Sequence, residues 1–188
     1  MDIDVEISEV IFLCGFMGAG KTTIGQKLAE ELGRPFLDLD DRIVEKAGKP
    51  IPDIFETSGE GRFRAIERSA LLEVAQQFEG VVALGGGSLQ NQHLLDHLKG
   101  NGLLIFIEAP IPVIIDRISH DANRPLLLDD GGEPKDRDTL EKELKVLYQD
   151  RLPLYEQAMI TLKIKAGESA DKQVKTLINK IRNHVASP

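Results

Sequence analysis

The sequence predicts an α/β protein in which a parallel sheet is covered by helices on both faces. Five segments of strand length alternate with segments whose apolar residues recur at helical spacing. Parallel strands must be joined by crossover connections, and the intervening helices provide them. No internal repeat and no linker-like stretch interrupts the 188 residues, so we expect a single domain over 1–188.

The strand candidates differ in their hydrophobic pattern. Three are continuous apolar runs, typical of strands buried on both faces, and the second and fifth alternate between apolar and polar residues. The alternation of the second places Asp38 and Asp40 on one face, and that of the fifth indicates an edge strand. In chain order the candidates span 10–14, 36–40, 81–84, 103–107 and 160–165.

Helices are predicted between these strands from apolar stripes and from the capping residues at their ends. The segment 48–52 is punctuated by Gly and Pro, and Ile54 and Phe55 are interpreted as an anchored turn. The polar stretch 121–136 is interpreted as a loop, either a functional lid or a tolerated surface insertion. The predicted helices span 23–32, 41–47, 60–78, 91–99, 110–120, 139–155 and the residues after Ser169.

Composition excludes several classes of protein. The formal net charge of −8 disfavours a nucleic-acid backbone as a partner. Cys14 is the single cysteine, which excludes an internal disulfide and fits a reducing compartment. No apolar run approaches the ~20 residues of a membrane span, and residues 1–9 lack the basic start of a signal peptide. We therefore expect a cytoplasmic protein that binds neither nucleic acid nor membrane.

A glycine-rich loop follows the first strand candidate. Residues 15–22 read Gly-Phe-Met-Gly-Ala-Gly-Lys-Thr, which has the form G-x-x-x-x-G-K-T between a strand and a helix. Glycines let backbone N–H groups surround a phosphate, and the start of the next helix adds unpaired N–H groups. Lys21 can reach the outer phosphates, and the Thr22 hydroxyl can bind the accompanying magnesium ion. The spacing and its context favour a phosphate-binding loop over a simple glycine-rich turn.

The ends of the first three strand candidates should converge. Ligands of such sheets bind beyond the carboxyl ends of the strands, where the loop, Asp38 with Asp40, and the glycines 85–87 would meet. One carboxylate can orient a hydroxyl group and accept its proton, and the other can hold water on magnesium. Exposed glycine backbone lets a ligand approach the main chain closely. A solvent-facing acidic strand end and a flexible turn are the alternative interpretations.

An acidic chain that binds a phosphate substrate must concentrate positive charge locally. Arg64 and Arg68 share one face of their predicted helix, and Glu67 can hold the Arg64 guanidinium group in place. Arg124 and Arg151 are further candidates. The arginine fork matches two oxygens of a carboxylate or a phosphate. A solvated charged face is the alternative for any one of them.

With these residues assembled, the chain resembles the shikimate kinases over nearly its whole length, from about Val10 to Val185. The phosphate-binding loop alone indicates only nucleotide binding, whereas the ordered set of segments is highly specific. The segments are GFMGAGKTT (15–23), FLDLDD (36–41), IPDIF (51–55), GEGRFRAIE (59–67), LGGGS (84–88), RPLL (124–127) and RLPLY (151–155).

The resemblance implies a P-loop NTPase fold with three α/β/α layers and a five-stranded parallel sheet in the order 2-3-1-4-5. It implies a core over about 8–40, 79–118 and 156–188, a substrate-binding segment over about 41–72, and a lid over about 120–137. The implied reaction transfers the γ-phosphate of ATP to the 3-hydroxyl of shikimate, giving shikimate 3-phosphate and ADP, in chorismate and aromatic amino acid biosynthesis. Mg²⁺ would accompany ATP, and we expect a monomer.

The resemblance also implies roles for individual residues. Lys21, Asp40 and Arg124 would be catalytic, with Asp40 binding the ring hydroxyls of shikimate and acting as base. Thr22 would ligate magnesium directly and Asp38 through water. The residues implied for ATP are Gly18, Ala19, Gly20, Lys21, Thr22, Thr23, Arg117 and Arg124. The residues implied for shikimate are Asp40, Arg64, Gly85, Gly86, Gly87 and Arg151, with Glu67 orienting Arg64.

Other functions are weighed against this one. Another small-molecule kinase of the same fold, such as a gluconate kinase, is disfavoured because the triple glycine with Arg64 and Arg151 suits a compact carboxylate ligand. A nucleotide-binding switch or pseudokinase is disfavoured because the catalytic set is intact, with Lys21, Thr22, Asp38, Asp40 and Arg124 all present. The third strand candidate ends in glycine rather than Asp, which disfavours a motor ATPase or a switch GTPase.

Overall fold

A computed structural model of the chain describes residues 9–119, 127–129 and 133–186. These residues form an α/β fold around a five-stranded sheet whose strand order is β2-β3-β1-β4-β5, and every pair of neighbouring strands is parallel. The predicted fold class and strand order are therefore confirmed, and β5 is an edge strand as predicted. The strands are β1 (Val10–Cys14), β2 (Phe36–Asp38), β3 (Val81–Ala83), β4 (Gly102–Glu108) and β5 (Ile160–Lys163).

Helices connect the strands and cover the sheet. All five residues of β1 are buried, and successive strand residues point to opposite faces, so both faces of the sheet are covered at its centre. The helices within the described residues are α1 (Lys21–Leu32), α2 (Leu39–Ala47), α3 (Ile51–Gln77), α4 (Gln92–Asn101), α5 (Ile111–Ile118), α6 (Arg137–Tyr155) and α7 (Ala170–Val185). None of these described helices combines the length and apolar character needed to span a bilayer.

Helix α7 illustrates how the sequence signals become structure. Its apolar stripe is buried, and Val174, Leu177 and Ile181 are each at most 1% exposed. Ser169 caps the helix by accepting a hydrogen bond from the backbone N–H of Lys172, as predicted. An aspartate in the first turn suits the positive end of the helix dipole.

The second strand is shorter than predicted. It ends at Asp38, whose side chain caps α2 by accepting a hydrogen bond of 3.0 Å from the backbone N–H of Asp40. Asp40 therefore lies in the first turn of a helix, and the predicted alternation of two aspartates along one strand face is wrong. Aspartate is among the strongest N-cap residues, and acidic residues are favourable in a first helical turn. These local preferences outweigh the strand-like alternation.

The segment predicted as a break with an anchored turn is a break at 48–50 and helical from Ile51 onward. Helix α3 begins at Ile51, with Pro52 tolerated in its first turn. Ile54 is fully buried, so an amphipathic face fixes this part of the helix. Gly59 interrupts the helix with φ of 75°, a left-handed conformation that favours glycine, and so divides α3 into two halves across a kink.

Most of the proposed lid, residues 120–137, lies outside the described residues. Its described parts meet at an antiparallel bridge between Leu128 and Pro134. Backbone hydrogen bonds from Asp129 to Glu133 (2.8 Å) and from Lys135 to Leu127 (2.8 Å) flank that bridge. Arg124, which carries one of the predicted catalytic roles, also falls outside the described residues.

Candidate active site

A cleft of about 300 Å³ opens beyond the carboxyl ends of β1, β2 and β3. The glycine-rich loop, Asp38 with Asp40, and the glycines at 85–86 all line it. The structure thus brings together the three strand ends that the sequence analysis expected to converge, although they are distant along the chain. Arg117, at the end of α5, lines the same cleft.

Close packing explains why the loop begins with glycine. Gly15 has φ of 143°, and a Cβ atom there would lie 2.5 Å from the carbonyl oxygen of Ile107 in β4. Gly20 also has positive φ and caps the N-terminus of α1. The loop therefore turns sharply from a buried strand into the start of a helix. Helix starts present unpaired N–H groups to anions.

Lys21 lies along the inside of this loop. It is 9% exposed, and its Nζ atom donates hydrogen bonds of 2.9 Å to the carbonyl oxygens of both Gly15 and Phe16. These contacts hold the ammonium group at the mouth of the loop. Of the other loop residues predicted for ATP, Ala19 is buried, whereas Gly18 and Thr23 line the cleft.

A short chain of hydrogen bonds links the loop to the end of β2. The Thr22 hydroxyl donates to Oδ2 of Asp38 (2.8 Å), and Oδ1 of Asp38 accepts from the backbone N–H of Asp40. Among the described residues there is no group of three or more His, Cys, Asp or Glu side chains that could hold a metal ion. Magnesium commonly takes only one or two protein oxygens together with phosphate oxygens and water. Thr22 and Asp38 can supply such oxygens.

Asp40 lines the cleft and is exposed as a residue, whereas its carboxyl group is partly shielded from solvent by the surrounding protein. This partial burial is the main cause that raises its pKa to about 6, and the negative charges of Asp38 and Glu67 raise it further. The ammonium group of Lys21 opposes these effects but does not cancel them. A carboxyl group with this pKa is mostly ionised at neutral pH and still basic enough to accept a proton.

Two arginines converge on the glycine turn that follows β3. Arg151 Nη1 donates to the carbonyl oxygen of Gly86 (2.8 Å), and Arg64 Nη1 approaches that of Gly87 (3.3 Å). A Cβ atom on Gly87 would lie 3.2 Å from Nη2 of Arg64 and 3.4 Å from Nη2 of Arg151. Both guanidinium groups therefore lie close to the same position beside Gly87. Two positive charges so close together form a site for an anion.

Glu67 fixes the orientation of Arg64. Its side chain is nearly fully buried, and Oε2 accepts a hydrogen bond of 2.8 Å from Arg64 Nη1. The same carboxylate accepts from the Ser88 hydroxyl (2.7 Å) and from the Gln90 amide (2.9 Å). A buried carboxylate with a cationic partner and two neutral donors is well satisfied. The predicted contact between Glu67 and Arg64 is present.

Arg117 contacts the loop directly. Its Nη1 atom donates to the carbonyl oxygens of Gly18 (3.1 Å) and Ala19 (2.8 Å), although the side chain is exposed. The guanidinium group thus lies against the outer edge of the loop, at the side of the cleft formed by α5. This position is adjacent to the loop that the sequence analysis assigned to phosphate.

Sequence reasoning missed several residues that support this site. Tyr155 is buried, stacks on Phe106 at 5.2 Å between ring centroids, and donates its hydroxyl to the Gly86 carbonyl oxygen (2.5 Å). Ser88 and Gln90 also support the site, because both donate hydrogen bonds to the Glu67 carboxylate. Tyr155 stands four residues after Arg151 on one helix face, and it ends the segment RLPLY (151–155), so both the spacing and the segment could have indicated it.

Comparison with known proteins agrees with the geometry. The family model for shikimate kinase matches residues 17–182. The chain is 40% identical to a shikimate kinase of Salinibacter ruber over 172 residues, which cover 91% of this chain and 81% of that protein. It is also 40% identical to a shikimate kinase of Thermobifida fusca, over 89% of this chain and 91% of that protein.

Comparison with solved structures likewise finds shikimate kinases. The shikimate kinase from Acinetobacter baumannii in complex with shikimate is 37% identical, with a TM-score of 0.77 over 95% of this chain and 93% of that one. The enzyme from Bacteroides thetaiotaomicron is 31% identical, with a TM-score of 0.83 over 93% and 98% of the two chains. A gluconokinase from Sinorhizobium meliloti, 16% identical with a TM-score of 0.56 over 95% and 94%, shares the fold alone. The chain belongs to the shikimate kinase family.

Proposed function

We propose that this chain, an ATP-dependent phosphotransferase by family, transfers the γ-phosphate of ATP to the 3-hydroxyl of shikimate. The observation that carries this proposal is the pair of guanidinium groups from Arg64 and Arg151 beside the glycine turn. They form a site for a compact anion, and Asp40 lines the cleft next to that turn. The phosphate-binding loop lines the same cleft.

The ATP side of the cleft consists of residues 15–23, Asp38 and Arg117. Its loop amides and the start of α1 hold the phosphates, and Lys21 moves from the loop carbonyls toward the γ-phosphate as ATP enters. Thr22 would ligate Mg²⁺ and Asp38 would hold it through water; their side-chain oxygens lie 2.8 Å apart beside the loop. Bound Mg²⁺ would neutralise charge on the transferred phosphate. Arg117 packs near the adenine, and Arg124 closes over the phosphates.

The shikimate side consists of Asp40, Arg64, Arg151 and the glycines 85–87. Arg64 and Arg151 bind the substrate carboxylate, because two forks offer paired N–H donors to its two oxygens. The glycine turn lets the ring approach the main chain, since a Cβ on Gly85 would lie 3.4 Å from Oδ1 of Asp40. The ring hydroxyls are thereby placed within reach of Asp40.

Asp40 acts as the general base. Its pKa of about 6 leaves it ionised at neutral pH, so it accepts the proton of the 3-hydroxyl group. The hydroxyl oxygen forms a bond to the γ-phosphorus while the bond from that phosphorus to the β–γ bridging oxygen breaks, and ADP leaves. Lys21 and Arg124 stabilise the charge that is spread over the transferred group.

An assay of ATP hydrolysis and product formation tests this proposal. The purified chain is supplied with MgATP and either shikimate or gluconate, ADP release is followed by a coupled assay, and the product is identified by mass. We expect shikimate-dependent ADP release with one phosphate added to shikimate. Turnover of gluconate without turnover of shikimate would assign a different kinase activity. Tight ATP binding with no turnover of either acid would favour a nucleotide switch.

We also infer a cytoplasmic monomer with one kinase domain over 1–188, in which 41–72 binds substrate and 120–137 is the lid. Cys14 is buried, and burial raises the pKa of its thiol to about 12, which disfavours disulfide formation. Sedimentation of the purified chain with and without both substrates tests the monomer, and a dimer would contradict it.

A further inference from the structure

A second groove lies between α2 and α3, away from the catalytic cleft. Its volume is about 420 Å³, larger than the cleft, and the two share no lining residue. This volume is within the range of small-molecule sites. The last turn of α2 and both halves of α3 form the groove. The proposed phosphate transfer makes no use of it.

Positive charge is concentrated in this groove. Lys46, Lys49 and Arg62 line it, and Glu73 neutralises Lys46 at 2.6 Å. Lys49 donates to the hydroxyl groups of Thr57 and Ser58 rather than to a carboxylate. Across the part of the chain that the structure describes, no carboxylate pairs with Lys49 or Arg62. Two uncompensated cations on a chain of net charge −8 mark an anion site.

The remaining lining defines the class of ligand. Ala47 and Ile66, which are both partly exposed, form an apolar floor beside the fully buried Ile54, and the hydroxyl groups of Ser58 and Ser69 border it. A phosphate monoester carries about −1.5 to −2 charges at neutral pH, whereas a carboxylate carries one. We propose that this groove binds a small phosphate monoester, with its phosphate on the uncompensated cations and its apolar body on the floor.

The groove spans the kink of α3. Ser58 precedes Gly59, and Arg62 follows it. Arg62 and Arg64 are two residues apart and project to different sides of the helix, and Arg64 contacts the glycine turn of the catalytic cleft. A ligand that bridges both halves of α3 fixes the angle between them, and with it the position of Arg64. Binding therefore alters the affinity for the acceptor more than that for ATP, a consequence that rests on the proposed function.

Titration of the full chain with phenyl phosphate tests the site, with inorganic phosphate and benzoate as comparison probes. MgADP and shikimate are kept saturating so that the catalytic cleft is filled. Backbone amide NMR shifts of Ser58 and Ser69 report on the groove directly. We expect phenyl phosphate to move these signals and to bind at least about tenfold more tightly than benzoate. Inorganic phosphate should bind less tightly than phenyl phosphate, because it leaves the apolar floor uncovered.

Charge-removing variants sharpen the test. Arg62→Gln and Lys49→Gln should each weaken phenyl phosphate binding about tenfold or more. Lys175→Gln, at an exposed position on α7, should leave it unchanged. Circular dichroism verifies that all three variants are folded. Unmoved groove amides, or equal affinity in wild type and Arg62→Gln, would overturn the site. Equal binding of benzoate would overturn its assignment to phosphate esters.

Kinetics test the coupling to Arg64. Phenyl phosphate should change the KM for shikimate about fivefold in the wild type and leave it unchanged in Arg62→Gln. A constant KM in the wild type would refute the coupling. The amide signals locate the ligand whichever acceptor the enzyme uses. Groove binding in a chain that fails to phosphorylate shikimate would therefore contradict the proposed function and leave the site itself intact.

Discussion

The two sides of the cleft are built in different ways. The main part of the ATP side is local, because residues 15–23 follow β1 directly and lead into α1, and Asp38 and Arg117 join it from elsewhere in the chain. The shikimate side is assembled by the fold, because Arg64 meets Gly87 across 23 positions of sequence and Arg151 meets Gly86 across 65. A contiguous motif can be recognised without the fold, whereas the anion site exists only when α3, α6 and the turn after β3 are in place.

The two sides also use different chemical groups. The ATP side relies on main-chain groups, with Lys21 held by loop carbonyls at 2.9 Å. The shikimate side relies on side chains, among them Arg64, which Glu67 keeps in position. Changes at Lys21 on the ATP side should therefore lower kcat, and changes at the two arginines on the shikimate side should raise the KM for shikimate. The variants below test this division, beginning with the largest expected effect.

Lys21→Met should lower kcat by about 10³-fold, because the proposed role of this cation is to stabilise the transferred phosphate. The measurement is ADP release at saturating shikimate. Lys27→Met is the matched control, since Lys27 lies on the same helix and pairs with Asp171 away from the cleft. The control should retain almost full turnover. Near-normal turnover of Lys21→Met would contradict the assignment of the ATP side.

Arg64→Ala should raise the KM for shikimate about 10²-fold while changing the KM for ATP little. Removal of one guanidinium group leaves the substrate carboxylate with a single arginine and leaves Glu67 without its cationic partner. Arg68→Ala, an exposed arginine one turn further along α3, serves as control. An equal rise in the KM for ATP and in the KM for shikimate would show that the two sides of the cleft are not separable in the way proposed.

The pH profile tests Asp40. Because its pKa is raised to about 6, kcat/KM for shikimate should fall about tenfold per pH unit below that value and level off above it. Removal of the nearby negative charge in Glu67→Gln should lower the pKa of Asp40 and move the acidic limb to lower pH. An acidic limb that stays in place in this variant would argue that another group controls the profile.

The sequence predicted correctly those elements whose determining residues are neighbours along the chain. The strand, loop and helix around Gly15 to Leu32, and the cap at Ser169, were predicted because each depends on neighbouring residues. Convergence of the strand ends followed from the geometry of parallel sheets. Glu67 could be paired with Arg64 because three residues along a helix bring side chains together.

The errors arose where local rules compete or where contacts are distant. The segment at Asp38 has the alternation of a strand and the chemistry of a helix cap, and the cap prevails. The start of α3 at Ile51 depends on burial of Ile54, which only the packed structure reveals. Ser88 and Gln90 are separated from Glu67 by 21 and 23 positions, so no spacing rule relates them.

Tyr155→Phe should have the smallest effect, because the carbonyl oxygen of Gly86 keeps Arg151 as a second donor. The ring of the variant still stacks on Phe106. Loss of one hydrogen bond costs about 1 kcal/mol of unfolding free energy, measurable by urea denaturation. With the carbonyl still paired, the KM for shikimate should rise by no more than about threefold. A rise as large as that of Arg64→Ala would mean that the Tyr155 hydroxyl, and not the guanidinium pair alone, holds the glycine turn in its binding position.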